Sequence, residues 1–235
     1  MENKVLAVTY KDLRDLFRSR AFCNVLTKAA DEAFKHGEEN HFAVARKYYE
    51  KGFLIGNILY NKDLLDDPGS SVGVRYLESV VGAKETPENR PNGILLHEVF
   101  PVVNYHTHTT PNNSHPSPED LFCMASARTV SKNRDNFNNK PLFTIGSFRK
   151  CDKNLLDILV LQERLSKPMG EAGLDILNGV SEVLYESSAG NEKIAKALAG
   201  TGMVNAAVLN YSRNKTHFLP DKDSLTKLEQ FAYQP

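Results

Sequence analysis

Residues 102–120 read VVNYHTHTTPNNSHPSPED, an apolar stretch that leads through a short polar loop to the start of a helix. The β-branched and aromatic residues at its beginning predict a strand over Val102–His108. Ser117 stands before a proline and two acids, which is typical of a helix N-terminus, and we expect that helix to run to about Val130. The stretch therefore predicts a strand–loop–helix unit, from which the remaining elements follow in both directions.

Upstream, the sequence predicts helices and one buried strand. Val5–Val8 indicates a short opening strand, after which Thr9 and Asp12 form a capping-box pair. Apolar residues then recur at helical spacing as far as Gly37, a plausible helix end. A further apolar run, Gly52–Tyr60, predicts a second strand inside the protein.

Downstream, the pattern alternates between strands and helices. The predicted elements are a strand at Leu142–Phe148, helices at Asn154–Leu165, Glu171–Ser187 and Asn191–Ala199, strands at Met203–Tyr211 and Thr216–Leu219, and a C-terminal helix at 224–232. Together they predict one α/β domain over residues 1–235, with a mixed β-sheet sandwiched by helices. Its core would comprise about residues 4–150 and 203–220. A helical insertion near 152–200 would pack on this core, or else cap a substrate or form a dimer contact.

Composition limits the class of protein. The 235 residues are 41% hydrophobic and 25% charged, which excludes a disordered chain. Lys and Arg (29) balance Asp and Glu (29), so a general nucleic-acid footprint is absent. Three scattered cysteines, no signal-peptide core and no run of membrane-spanning length lead us to expect a cytoplasmic protein.

The two histidines of the His106-Thr-His108 motif carry the clearest chemical signal. On a strand, residues two apart project from the same face, so both imidazoles can reach one point. Two imidazoles suit zinc and related metals, and Asp120 at the start of the following helix is the nearest candidate for a third ligand. Ser117 and Asp120 also make a good helix start on their own, and that interpretation needs no metal.

Several other catalytic motifs are absent from the sequence. His97 and Glu98 are followed by Val-Phe-Pro, so they do not form H-E-x-x-H, and the proline argues against a helix there. The chain also lacks a Walker loop, a G-x-G-x-x-G turn after a strand and a G-x-S-x-G nucleophile elbow.

The residues 106–120 resemble the signature of the JAMM (MPN+) zinc metalloproteases, which is H-x-H, a loop and S-x-x-D. The family also has a glutamate on an early strand, and Glu50 in the stretch YEKGFLIG (49–56) is similar to that strand entry. The resemblance covers roughly residues 4–150 and implies a cytidine-deaminase-like JAMM core. Thr109 stands where the family usually has proline, and the loop to the serine is one residue longer, which places His115 near the expected ligands.

The JAMM resemblance implies a site and a reaction. His106, His108 and Asp120 would hold one zinc ion per chain, with water as the fourth ligand. Glu50 would act as general base, and Ser117 would hydrogen-bond the oxyanion of the tetrahedral intermediate. The implied substrate is a protein amide, often the isopeptide bond of a ubiquitin-like modifier.

Two other functions compete with this one. The run H-T-H-T-T followed by S-P-E-D-L is also similar to the first motif of the PHP phosphoesterases. That family recruits more histidines and acids, whereas only His115 and His217 follow His108, and Asn104 replaces a typical aspartate. The remaining alternative is a non-catalytic MPN-like scaffold for protein interactions, in which the histidine pair is incidental.

Overall fold

A computed structural model of the chain describes residues 7–60, 79–80, 98–109, 115–126, 140–164, 169–186 and 189–231. The strands are β1 (Asn40–Lys47), β2 (Leu54–Ile55), β3 (Leu59–Tyr60), β4 (Val99–Thr107), β5 (Leu142–Phe148), β6 (Leu155–Glu163), β7 (Val204–Asn214) and β8 (His217–Pro220). The α-helices are α1 (Tyr10–Phe17), α2 (Arg20–His36), α3 (Pro118–Ser126), α4 (Glu171–Glu186) and α5 (Asn191–Gly200). Short 3₁₀ helices span Arg149–Cys151 and Ser224–Phe231.

One mixed sheet contains all eight strands. Its order is β2-β1-β4-β5-β6-β7-β8, with β3 also paired to β1. Strands β4 and β5 run parallel, and every other pairing is antiparallel. Helices cover both faces of the sheet: α1, α2 and the C-terminal 3₁₀ helix pack on one core cluster, while α3, α4 and α5 pack on another. The predicted mixed α/β architecture is therefore confirmed.

The helical region predicted from Thr9 to Gly37 begins and ends as expected, but it divides into α1 and α2 at Arg18 and Ser19, a break that the sequence analysis did not predict. The Thr9 hydroxyl accepts a hydrogen bond from the Asp12 amide (3.2 Å), and the Asp12 carboxylate accepts one from the Thr9 amide (2.9 Å). Gly37 ends α2 with φ at 67°, a left-handed conformation that glycine adopts at little cost. Residues 7 and 8 of the predicted opening strand do not form a strand. Val5 and Leu6 lie outside the described residues.

The prediction of a buried strand at residues 52–60 was wrong. The buried strand of this region lies earlier in the chain. Asn40–Lys47 forms β1, whose side chains are buried from Asn40 to Arg46. Residues 52–60 contribute only the two-residue strands β2 and β3, which fold back on β1 and are half-buried.

The prediction of a helix at Asn154–Leu165 was also wrong. Residues Leu155–Glu163 form β6, a central strand between β5 and β7. The helical insertion near 152–200 is thus limited to α4 and α5, and these two helices pack on the sheet. The C-terminal helix predicted over 224–232 is a 3₁₀ helix that ends at Phe231. In the described ranges, no helix has the length and apolar character needed to cross a membrane.

Candidate metal centre

The two histidines lie where β4 ends, on the face of the sheet that α3, α4 and α5 cover. His106 is 2% exposed, its ring stacks on that of His41 in the neighbouring strand (centroids 5.6 Å apart), and it also contacts Phe143. The backbone amide of His108 donates to the carbonyl of Gly146 at 2.8 Å. Strand pairing and ring packing therefore hold both imidazoles in place.

Three side chains converge at this point. The Nε2 atoms of His106 and His108 are 2.9 Å apart, and they lie 3.2 and 3.3 Å from the two carboxylate oxygens of Asp120. In a tetrahedral zinc site with bonds of about 2.0–2.1 Å, ligand atoms lie roughly 3.3 Å from one another. In the described part of the chain, this is the only group of three or more His, Cys, Asp or Glu residues whose side chains lie close enough to bind one metal ion.

Asp120 reaches the histidines because of the way α3 begins. Its backbone amide donates to the Ser117 hydroxyl (3.1 Å), and its carboxylate accepts from the Ser117 amide (2.8 Å). This is the reciprocal capping pattern that the sequence predicts, and it fixes the rotamer that points at the imidazoles. The helix-start and ligand interpretations are therefore compatible. The helix is described as far as Ser126, and the predicted continuation to Val130 lies outside the described residues.

The Asp120 carboxylate is charged in this setting. Burial alone would raise its pKa, but the electrostatic and hydrogen-bonding interactions with His106 and His108 hold the pKa well below its usual range. A half-buried carboxylate and two imidazole nitrogens that face it make a suitable ligand set for a divalent cation.

A pocket of about 440 Å³ opens beside the three side chains. Its lining comprises Glu39, His108, His115, Pro116, Ser117, Pro118, Asp120, Asn178, Ser181, Glu182 and Tyr185. The far wall belongs to α4, which is tied to the site loop by a 2.7 Å hydrogen bond from the Ser181 hydroxyl to the carbonyl of Pro116. Helix α4 therefore both packs on the sheet and forms part of the candidate site.

Glu50 does not lie at this pocket. It follows β1 in a turn, its side chain is 64% exposed, and it pairs with Lys47 at 2.9 Å. Lys47 is opposite Val99 at the far end of the strand pair that joins His41 to His106. Six residues of strand span roughly 20 Å, so the structure does not bring Glu50 to the histidines.

Glu39 is the carboxylate that the structure brings to the pocket instead. It immediately precedes β1, two residues before His41, so the antiparallel register places it beside His108. It is half-buried in the pocket lining. Recognising the strand at 40–47 in the sequence would have pointed to Glu39, because the glutamate just before that strand is the one that lies beside the histidines.

His115 lines the pocket but is outside the group of three potential ligands. Burial lowers the pKa of its imidazole and the nearby His108 lowers it further, against opposing hydrogen bonds with the backbone of Ala189 and Ser181. Its ring meets the ring of Tyr185 edge-on at 5.6 Å. His115 thus shapes the wall between the site loop and α4.

Searches of protein-family models, of curated proteins and of solved structures find no match to this chain. The candidate metal centre therefore rests on its own geometry.

Proposed function

We propose that this protein is a hydrolase that uses a single zinc ion held by His106, His108 and Asp120. The observation that carries the proposal is the convergence of His106, His108 and Asp120, whose ligand atoms all lie within 4.8 Å of one another, at the edge of a pocket. A catalytic zinc site has three protein ligands and one position left for water or substrate, which is the number of ligands available here. When bound, zinc would lower the pKa of water toward about 7 and polarise a substrate carbonyl.

Glu39 supplies the general base in this proposal, in place of Glu50. Glu39 lines the same pocket as His108 and Asp120, and it immediately precedes β1, the strand next to β4. A half-buried carboxylate at this position can accept a proton from water and return it to the leaving amine.

Ser117 has the chemistry needed to stabilise the oxyanion. Its hydroxyl oxygen accepts the hydrogen bond from the Asp120 amide, which leaves the hydroxyl hydrogen available to donate. The side chain lines the pocket beside Asp120. It can therefore donate to the negative charge that develops on a substrate carbonyl oxygen.

The arrangement of these residues supports our proposal of a JAMM-like function on a cytidine-deaminase-like core. The H-x-H strand lies beside a strand that a glutamate precedes, and the helix that carries Ser117 and Asp120 follows. The substrate we propose is a protein amide, including the isopeptide bond of a ubiquitin-like modifier. A single cluster of ligands within the described ranges favours this mechanism over a PHP-type phosphoesterase.

A non-catalytic scaffold is the second candidate. The observation that favours it is the capping box of α3, which gives both Ser117 and Asp120 a structural role without any metal. This candidate predicts that the chain binds no stoichiometric metal and hydrolyses no amide.

The test compares Glu39→Gln with Glu50→Gln. Tag-free, zinc-loaded protein is screened against ubiquitin-like fusions and a peptide library, and the variants are assayed on the amide that the wild type cleaves. We expect Glu39→Gln to lower kcat/KM by about 10²–10⁴-fold with its zinc content unchanged, because it removes a proton acceptor. Glu50→Gln should stay within about twofold of the wild type, since this acid is exposed and paired with Lys47.

Full activity in Glu39→Gln would remove it as the base. An absence of any metal-dependent cleavage by the zinc-loaded wild type would favour the scaffold.

A further inference from the structure

The wall of the pocket opposite the histidines is one face of α4. Asn178, Glu182 and Tyr185 are spaced four and three residues apart, so they lie along the same side of the helix. All three line the pocket that also contains His108 and Asp120. A substrate group that enters the pocket beside the metal ligands would meet this face.

The groups on this face attract positive charge. Glu182 presents a carboxylate, and Tyr185 presents an aromatic ring that is 60% exposed. The Oδ1 atom of Asn178 is buried and has no hydrogen-bond partner within the described part of the chain. Aromatic faces and amide and carboxylate oxygens are the groups that bind ammonium and guanidinium ions.

Among the described lining residues, no lysine or arginine opposes these groups. The lining adds a second carboxylate, Glu39, across the pocket. An amine or a guanidinium that lies between α4 and the start of β1 would therefore meet a carboxylate on each side.

Helix α4 holds this face in a fixed position. The adjacent side of the helix buries Leu177, Ser181 and Leu184, and the two leucines belong to the core cluster beneath α3, α4 and α5. The hydrogen bond from Ser181 to Pro116 joins the helix to the loop that leads into Ser117 and Asp120. The helix that carries these side chains is thus in place before a ligand binds, which lowers the entropic cost of binding.

We propose that the Asn178–Glu182–Tyr185 face of α4 is a subsite for a cationic side chain, a lysine or an arginine next to the bond that is cleaved. This inference rests on the proposed hydrolase function and adds a substrate preference to it. Glu182 pairs with the cation, and the Tyr185 ring packs against its aliphatic stem and charge.

The test uses two hydroxamates, which bind zinc directly, so no substrate needs to be known. Nα-acetyl-lysine hydroxamate carries the cation. Nα-acetyl-norleucine hydroxamate is its neutral counterpart, because its side chain lacks the terminal ammonium group. Binding to the zinc-loaded protein is measured by calorimetry for the wild type, for Glu182→Gln and for Glu171→Gln. The last variant removes an exposed charge from the same helix outside the pocket lining.

We expect the lysine compound to bind the wild type about tenfold more tightly than the norleucine compound, a difference of about 1.4 kcal/mol. Glu182→Gln should reduce this ratio to threefold or less without weakening the norleucine compound, while Glu171→Gln should preserve the ratio. Equal affinities in the wild type, or a ratio that Glu182→Gln leaves unchanged, would overturn the subsite while leaving the zinc site intact. A chain that takes up no zinc would instead overturn the proposed function on which this inference rests.

Discussion

At Gly146 the chain has no room for a side chain. A Cβ atom there would lie 2.1 Å from the hydroxyl of Tyr105 and 2.8 Å from its ring carbon Cζ. Tyr105 is fully buried and precedes His106 in β4, and the carbonyl of Gly146 receives the amide of His108. The position of the histidine pair therefore depends on the close approach of β5 to Tyr105.

Gly146→Ala is expected to destabilise the protein by about 1–3 kcal/mol, because the added methyl group would overlap the fully buried ring of Tyr105. Urea unfolding measures the change. Gly179→Ala is the control: it lies inside α4 with nothing within 4 Å of its Cβ position, so it should add about 0.5–1 kcal/mol of stability. Equal stability of Gly146→Ala and the wild type would contradict the tight packing described here.

Individual site residues were predictable to different degrees. The H-x-H spacing and the S-x-x-D helix start bring His106, His108 and Asp120 together as expected, since both patterns are local. The pocket carboxylate Glu39 depends on the pairing of β1 with β4, a contact between residues more than 60 positions apart, which the local sequence does not contain.

At the scale of the elements, the capping box of α1 links the helix to the sheet. The Asp12 carboxylate accepts hydrogen bonds from the amide and the hydroxyl of Thr9, and it also pairs with Arg46 of β1 at 3.3 Å. Burial alone would raise the pKa of Asp12, but the hydrogen bonds from Thr9 and the Arg46 guanidinium lower it below the ordinary value. The carboxylate therefore stabilises the folded state.

Asp12→Asn is expected to lower the free energy of unfolding by about 0.5–2 kcal/mol at pH 7, as the loss of a helix cap does. Because the folded-state pKa is depressed, this stability is fully present above the unfolded value of about 3.9 and is lost as the pH falls through the folded value. The difference between wild type and variant should therefore shrink below about pH 4.

Chemical denaturation between pH 7 and pH 3 checks this expectation. Asp15→Asn serves as the control, since Asp15 pairs with Arg18 on the surface and its loss should cost under about 1 kcal/mol. A difference between Asp12→Asn and wild type that is as large at pH 3 as at pH 7 would refute the role assigned to the carboxylate.

Two strands were missed for the same physical reason. β1 and β6 are central strands with both faces buried, so neither shows the alternation of polar and apolar residues that marks a half-buried strand. β6 contains four leucines, and leucine is a strong helix former, so its local preference disagrees with its place between β5 and β7. Helices α2 and α4, by contrast, keep one face exposed and were predictable from their periodicity.

At the scale of the whole molecule, the sheet brings distant parts of the chain to one place. The histidines end β4, Glu39 precedes β1, and α3 and α4 approach from the helical layer above them. The parallel pair β4 and β5, the only one among the described strands, ends at this site. The candidate centre is therefore a product of the topology as much as of its motif.

The central claim is that this assembly binds a metal ion, and its most direct test is the metal content of the protein. Protein purified without a histidine tag is supplied with zinc, dialysed and analysed by elemental mass spectrometry beside His108→Ala, with His36→Ala, an exposed histidine on α2, as the control. The account predicts about one zinc ion per chain in the wild type and in His36→Ala, and none in His108→Ala. Wild-type protein that holds no zinc, or a zinc content that His108→Ala leaves unchanged, would contradict it.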